Sequence, residues 1–160
     1  MNDDLILRPA RRDELGAVAR LAARLVRLHH AFDERRFFVP DRVEEGYAWW
    51  FGREIDRDEV VLLVALRAGV IVGYAYGRLE ERDWNQLLDA CGALHDLWVE
   101  ESERRRGVAA ALVEAAVAAL VAKGAPRVVL HAAADNAGAQ ALFARLGFRR
   151  TMVEMTREAD

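Results

Sequence analysis

Residues Leu94–Val121 read LHDLWVEESERRRGVAAALVEAAVAALV. The stretch predicts a strand, a short arginine-rich turn and a long helix. Arg104, Arg105 and Arg106 stand beside Gly107 where the helix begins. A helix N-terminus carries partial positive charge, so arginines are locally unfavourable there. The arrangement makes physical sense if a strong anion sits on it, held by free backbone N–H groups and cationic side chains. A solvated arginine patch that tolerates a small penalty is the plainer alternative.

Working outward, the helix predicted over Gly107–Lys123 stops at Gly124 and Pro126, a helix-ending pair. Arg127 to Ala132 predicts a strand, Asp135-Asn136 a cap, Ala137 to Leu146 a helix ended by Gly147, and Phe148 to Thr156 a last strand. On the amino-terminal side, Leu5 to Arg8 predicts an edge strand ended by Pro9. Asp13 and Glu14 open a helix whose apolar stripe includes Leu15, Val18, Ala22 and Leu25. Asp41 is placed to cap a second helix, Arg42 to Arg53, loaded with Tyr47, Trp49, Trp50 and Phe51. Val60 to Leu66 and Val70 to Leu79, punctuated by Ala68-Gly69, predict an antiparallel hairpin. The order β-α-α-β-β-β-α-β-α-β implies one α/β domain over 1–160, a central mixed β-sheet with helices on both faces. The Leu94 strand, the long helix and the next strand form a right-handed crossover. Ligands bind such sheets at the carboxyl ends of parallel strands, where the arginine turn lies.

Composition bounds the function. At 160 residues, 53% hydrophobic and 31% charged, the chain suits a single globular domain. Its net charge of −3 argues against gripping duplex nucleic acid, which calls for a basic surplus. One cysteine, Cys91, excludes an internal disulfide and a cysteine-rich zinc site. The acidic start lacks the pattern of a signal peptide. The apolar run Val108–Ala122, broken by Glu114, is shorter than the ~20 residues that span a bilayer. A cytoplasmic protein is expected.

Three motifs in order and spacing resemble one family. DLWV followed by Arg104-Arg105-Arg106-Gly107-Val108-Ala109 fits the R-x-x-G-x-G/A signature of the GNAT acetyltransferases. DNAGAQALFARLGF, from Asp135 to Phe148, resembles that family's second motif, and LRPARRDELGAVARL its first strand and helix. Within the family, the spacing of HDLWV to the arginine loop resembles that of the diamine and small-amine acetyltransferases. The resemblance implies acetyl-CoA as acetyl donor, and no metal is expected, because the His29-His30 pair with Asp33 lacks a third strong ligand at suitable spacing. It also implies that backbone N–H groups from Arg104 through Arg105, Arg106, Gly107, Val108 and Ala109 to Ala110 hold the pyrophosphate. Backbone groups of Leu97, Trp98 and Val99 would pair with the pantetheine arm. Asn136 would bond the same arm or simply cap its helix, and Phe143 would pack against it. Phe143 stands where many members carry the tyrosine that protonates the departing thiolate, so the proton donor is left unassigned, with Tyr74 and Tyr76 as candidates.

Transfer to an amine needs a base near the thioester. His95 and Asp96, adjacent on the strand, are the candidates, pointing to opposite faces in a regular strand. Imidazole, with an ordinary pKa near ~6.5, suits proton capture at neutral pH; a satisfied histidine at a sheet edge is the plainer reading. His29, His30, Asp33, Glu34, Tyr47, Trp49, Trp50 and Trp84 are available to line an acceptor pocket that would attract a cationic amine. The aromatics of the second helix would equally serve a core or a homodimer interface. The expected function is acetyl-CoA-dependent acetylation of a small-molecule amine or amino-terminal group, without nucleic acid or membrane; the alternative is a CoA-binding module with little catalysis.

Overall fold

Ala68 and Gly69 both hold left-handed backbone, φ 49° and 78°, the tight turn whose twist matches the two strands it joins. In the computed structural model, which describes residues 4–159, this turn links β2 (Val60–Arg67) to β3 (Val70–Glu80). Residues 1–3 of the acidic start lie outside the described residues, as does Asp160. β1 (Ile6–Pro9) pairs antiparallel with β2, and β4 (Cys91–Val99) antiparallel with β3. β5 (Val128–Leu130) pairs parallel with β4. The sheet order is β1-β2-β3-β4-β5.

The helices α1 (Leu15–Phe32) and α2 (Val43–Glu54) cover one face. The other face carries α3 (Val108–Ala122), with α4 (Ala137–Arg145) beyond β5. This layering explains why β2 is apolar without alternation, since a strand covered on both faces needs no polar side. Val60, Leu62, Val64 and Leu66 pack towards α1 and α2 around Phe51 and Tyr74. Val61, Leu63 and Ala65 pack towards Val108, Leu112, Val113, Ala116 and Leu120 of α3. Each large side chain so buried contributes roughly 1.5–3 kcal/mol. The helix α3 stops in a Schellman turn: Gly124 (φ 102°) donates to Val121 and Ala125 to Leu120.

The mixed sheet and its helices follow the predicted order, with three corrections. The strand predicted over 148–156 is not formed. β5 supplies only three ladder residues, so the segment finds no long edge to join, and alternation without an edge makes no strand. Phe148 donates to the Phe143 carbonyl, Glu154 pairs with Arg36, and Met152, Val153 and Met155 stay exposed. Asp41 does not cap α2; Arg42, in left-handed backbone at φ 52°, takes the capping position without a side-chain bond. β4 begins at Cys91, earlier than the Leu94 expected from the sequence, because its antiparallel ladder with β3 continues to Glu80 opposite Cys91.

Candidate active site

β4 is the strand that organises the site. β3 accompanies it from Cys91 to Val99, whereas β5 pairs only with Gly92, Ala93 and Leu94. From His95 onward the β5 side of β4 has no ladder partner. The end of this pairing coincides with a bulge: Gly77 lies opposite Leu94 and Tyr76 opposite Asp96, so His95 is the extra residue. Gly77 permits it, because a Cβ there would stand 2.7 Å from the Ala93 carbonyl oxygen.

The bulge shifts the alternation of the strand. Leu94 joins the core under α3, whereas Trp98 joins the core under α1 and α2. His95 and Asp96 therefore meet tyrosines of the same face, which corrects the expectation of opposite faces. The His95 ring stacks on Tyr76 at 5.7 Å between centroids. Its Nε2 lies 2.8 Å from Glu80 Oε1. Asp96 Oδ2 accepts from the Tyr74 hydroxyl at 3.0 Å. Burial holds the Asp96 carboxyl above the usual carboxylate range, against the opposing pull of the Tyr74 hydrogen bond and of His95 and His29. Burial likewise raises Tyr74, with the Asp96 charge acting in the same sense. The Tyr76 hydroxyl donates to Glu54 Oε2 at 2.8 Å; burial first, and that carboxylate second, push it up to about 12. Both tyrosine protons are committed to carboxylates, and neither hydroxyl is a ready donor to a departing thiolate.

Sequence reasoning missed Glu54, Arg78 and Glu80. Glu54 is buried at 1% exposure yet accepts from both Tyr76 and Arg78. A signal existed: Tyr74, Tyr76, Arg78 and Glu80 recur at period two, the mark of one strand face. Of the expected pocket residues, His29 and His30 have ring nitrogens engaged by the Leu25 and Phe37 carbonyls. Trp49 and Trp84 are exposed, lying beneath the guanidinium groups of Arg53 and Arg82.

At the carboxyl end of β4, Gly107 adopts φ 80° as the N-cap of α3. The first intrahelical bond runs from Ala111 to Gly107, which leaves the N–H groups of Val108, Ala109 and Ala110 ahead of it without helical acceptors. A Cβ on Gly107 would meet no protein atom within 4 Å, so the loop backbone is open to a ligand. The loop is fixed from below by Glu103, which is buried and accepts from Arg67 Nε at 2.7 Å and Arg106 at 2.9 Å. Arg104 bonds the Val99 carbonyl and lays its guanidinium over Trp98. Arg105 has left-handed backbone, φ 60°. The Leu97 and Trp98 side chains serve the two cores, so the open edge of β4 offers backbone. Asn136 caps α4, accepting from Ala139 at 3.1 Å, and Phe143 packs edge-on against Phe148.

Residues 23–148 match the acetyltransferase (GNAT) family. The chain belongs to that family. A mycothiol acetyltransferase of Clavibacter michiganensis is 33% identical over 117 residues, 73% of this chain and 33% of that protein. The chain thus spans about a third of the length of this relative. A Bacillus halodurans protein superposes with a TM-score of 0.82 at 20% identity, covering 96% of this chain and 99% of the other. An aminoglycoside N-acetyltransferase solved with CoA gives 0.79 at 20% identity, covering 98% and 95%. These likenesses establish the GNAT fold. Among the described residues, no helix is long and apolar enough to cross a membrane.

Proposed function

We propose that the chain transfers an acetyl group from acetyl-CoA to the primary amine of a small cationic molecule or an amino-terminal group. The observation that carries this reading is the parting of β4 and β5 at His95, which joins an open backbone edge to the free N–H groups at the start of α3. The residues fit the donor: helix-start N–H groups suit a pyrophosphate, and the β4 edge suits an amide-bearing arm as an added strand. Bound there, acetyl-CoA supplies an acyl group activated as a thioester. His95, half-exposed on the bulge, takes the proton of the attacking amine. Glu80, partly exposed beside His95, and Asp96 next to it suit a cationic acceptor.

Free thiol release on mixing acetyl-CoA with polyamines, aminoglycosides, amino acids and peptides tests the proposal. His95→Ala is expected to lower turnover about 100-fold while acetyl-CoA affinity stays within twofold; undiminished turnover eliminates His95 as base. One observation favours a second reading, a CoA-binding module: Phe143 offers no proton, and Tyr74 and Tyr76 donate elsewhere. Saturable acetyl-CoA binding without thiol release from any amine would select it.

A further inference from the structure

We propose that Glu80 is a positioning residue for His95, fixing the ring as the tautomer that carries its proton on Nε2 and offers Nδ1 to the acceptor amine. The proposal rests on His95 being the base.

His95 Nε2 stands 2.8 Å from Glu80 Oε1. An ionised carboxylate can only accept, so the proton on this bond belongs to Nε2. A neutral imidazole has one N–H, and Nδ1 keeps its lone pair. The contact joins the end of β3 to the bulge of β4, fifteen residues apart in sequence, so it is a product of the strand pairing.

The surroundings hold both partners. Tyr76 stacks on the His95 ring at 29° between planes, and its own hydroxyl is tied to Glu54. Arg78 donates to the same Glu54 oxygen at 2.8 Å and brings Nε to 3.6 Å from Glu80 Oε1. Glu54, Tyr76, His95, Glu80 and Arg78 therefore close a ring of contacts. His95 is pinned by its backbone, by one ring face and by Nε2, and Nδ1 is the nitrogen left for chemistry. The other His95 neighbour on the strand, Asp96, is committed to Tyr74.

In the transfer, the amine nitrogen bonds to the acyl carbon and the carbon–sulfur bond breaks with its electron pair going to sulfur. The amine proton passes to Nδ1. The resulting imidazolium faces the Glu80 carboxylate across the existing bond, which becomes an ion pair between two charged partners. The proton then passes through solvent to the thiolate, and His95 returns to its starting form.

Long-range 1H–15N correlation on the full chain, labelled at histidine, reads the tautomer without reference to turnover. The wild type is expected to show His95 protonated on Nε2. Glu80→Ala should give a mixture of tautomers and a kcat reduced roughly tenfold, with acetyl-CoA KM unchanged. Glu80→Gln keeps a carbonyl acceptor and should retain the Nε2–H form and kcat within threefold. Protonation on Nδ1 in the wild type overturns the proposal. So does Glu80→Ala with unaltered tautomer or unaltered kcat. Inactive His95→Ala beside an indifferent Glu80→Ala removes the positioning role alone, whereas active His95→Ala removes the base and the proposal with it.

Discussion

The two sides of β4 differ in kind. Towards β3 the strand is paired along its length except at His95, and the face turned to α1 and α2 is stitched by Tyr74–Asp96, Tyr76–Glu54 and His95–Glu80. Towards β5 it is paired over three residues and then left open. One strand thus presents a rigid side that fixes side chains and an unpaired side that offers backbone. A site needs both. Catalytic groups must be held to fractions of an ångström, whereas a long donor arm needs an edge that no strand already occupies. On the proposed function, the bulge at His95 is where the two requirements meet.

The largest expected effect comes from breaking the closed side. Gly77→Val places a Cβ 2.7 Å from the Ala93 carbonyl oxygen and 3.3 Å from Leu120. A loss of about 3 kcal/mol should lower Tm by about 10 °C, with loss of turnover; a thermal melt at the wild-type temperature would show that this side is not clamped. On the open side, Gly107→Ala forces a side chain into left-handed backbone at φ 80°, a strain of about 1–2 kcal/mol. Its Cβ enters space free of protein, so calorimetry should find acetyl-CoA affinity down roughly tenfold. Unchanged affinity would place the phosphates elsewhere. The smallest effect lies at the far edge of the closed side, where Glu14 ties β1 to α1. Its hydrogen bond from Arg8, more than the backbone bond from Arg11, draws its carboxyl down to about 2. A lowered carboxyl contributes stability above its ordinary range and loses it as pH falls from near 4.5 towards 2. Glu14→Gln should therefore cost about 1 kcal/mol at pH 7, and denaturant melts should show the gap closing on acidification; a gap independent of pH contradicts the pairing.

Much of the architecture was legible because it depends on local rules. The Ala68-Gly69 turn, the apolar runs of β2 and β3, and the Gly124 stop of α3 each carry their own chemistry. At the Gly107 helix start the arginines left an anion site and a solvated patch both open, and only the strand before them favoured the first. The pairing partners of the site were not. Glu80 and Glu54 stand far along the chain from His95 and Tyr76; the period-two run from Tyr74 to Glu80 marks a strand face but not what meets it. The face of His95 was misjudged because a regular alternation cannot reveal a bulge, which exists only when a second strand is in register beside it. The segment 148–156 was misjudged for the converse reason: its pattern suits a strand, yet no edge is offered to it.

By itself, then, the sequence determined the order of elements as far as Leu146 and the covering of both sheet faces by helices, since each follows from short-range backbone preferences and the period of apolar residues. Tertiary structure alone decided that His95 and Asp96 share a face, that Glu80 holds the His95 ring and that β4 parts from β5 just there. Those features arise from strand register, and register is a property of two segments meeting rather than of either one.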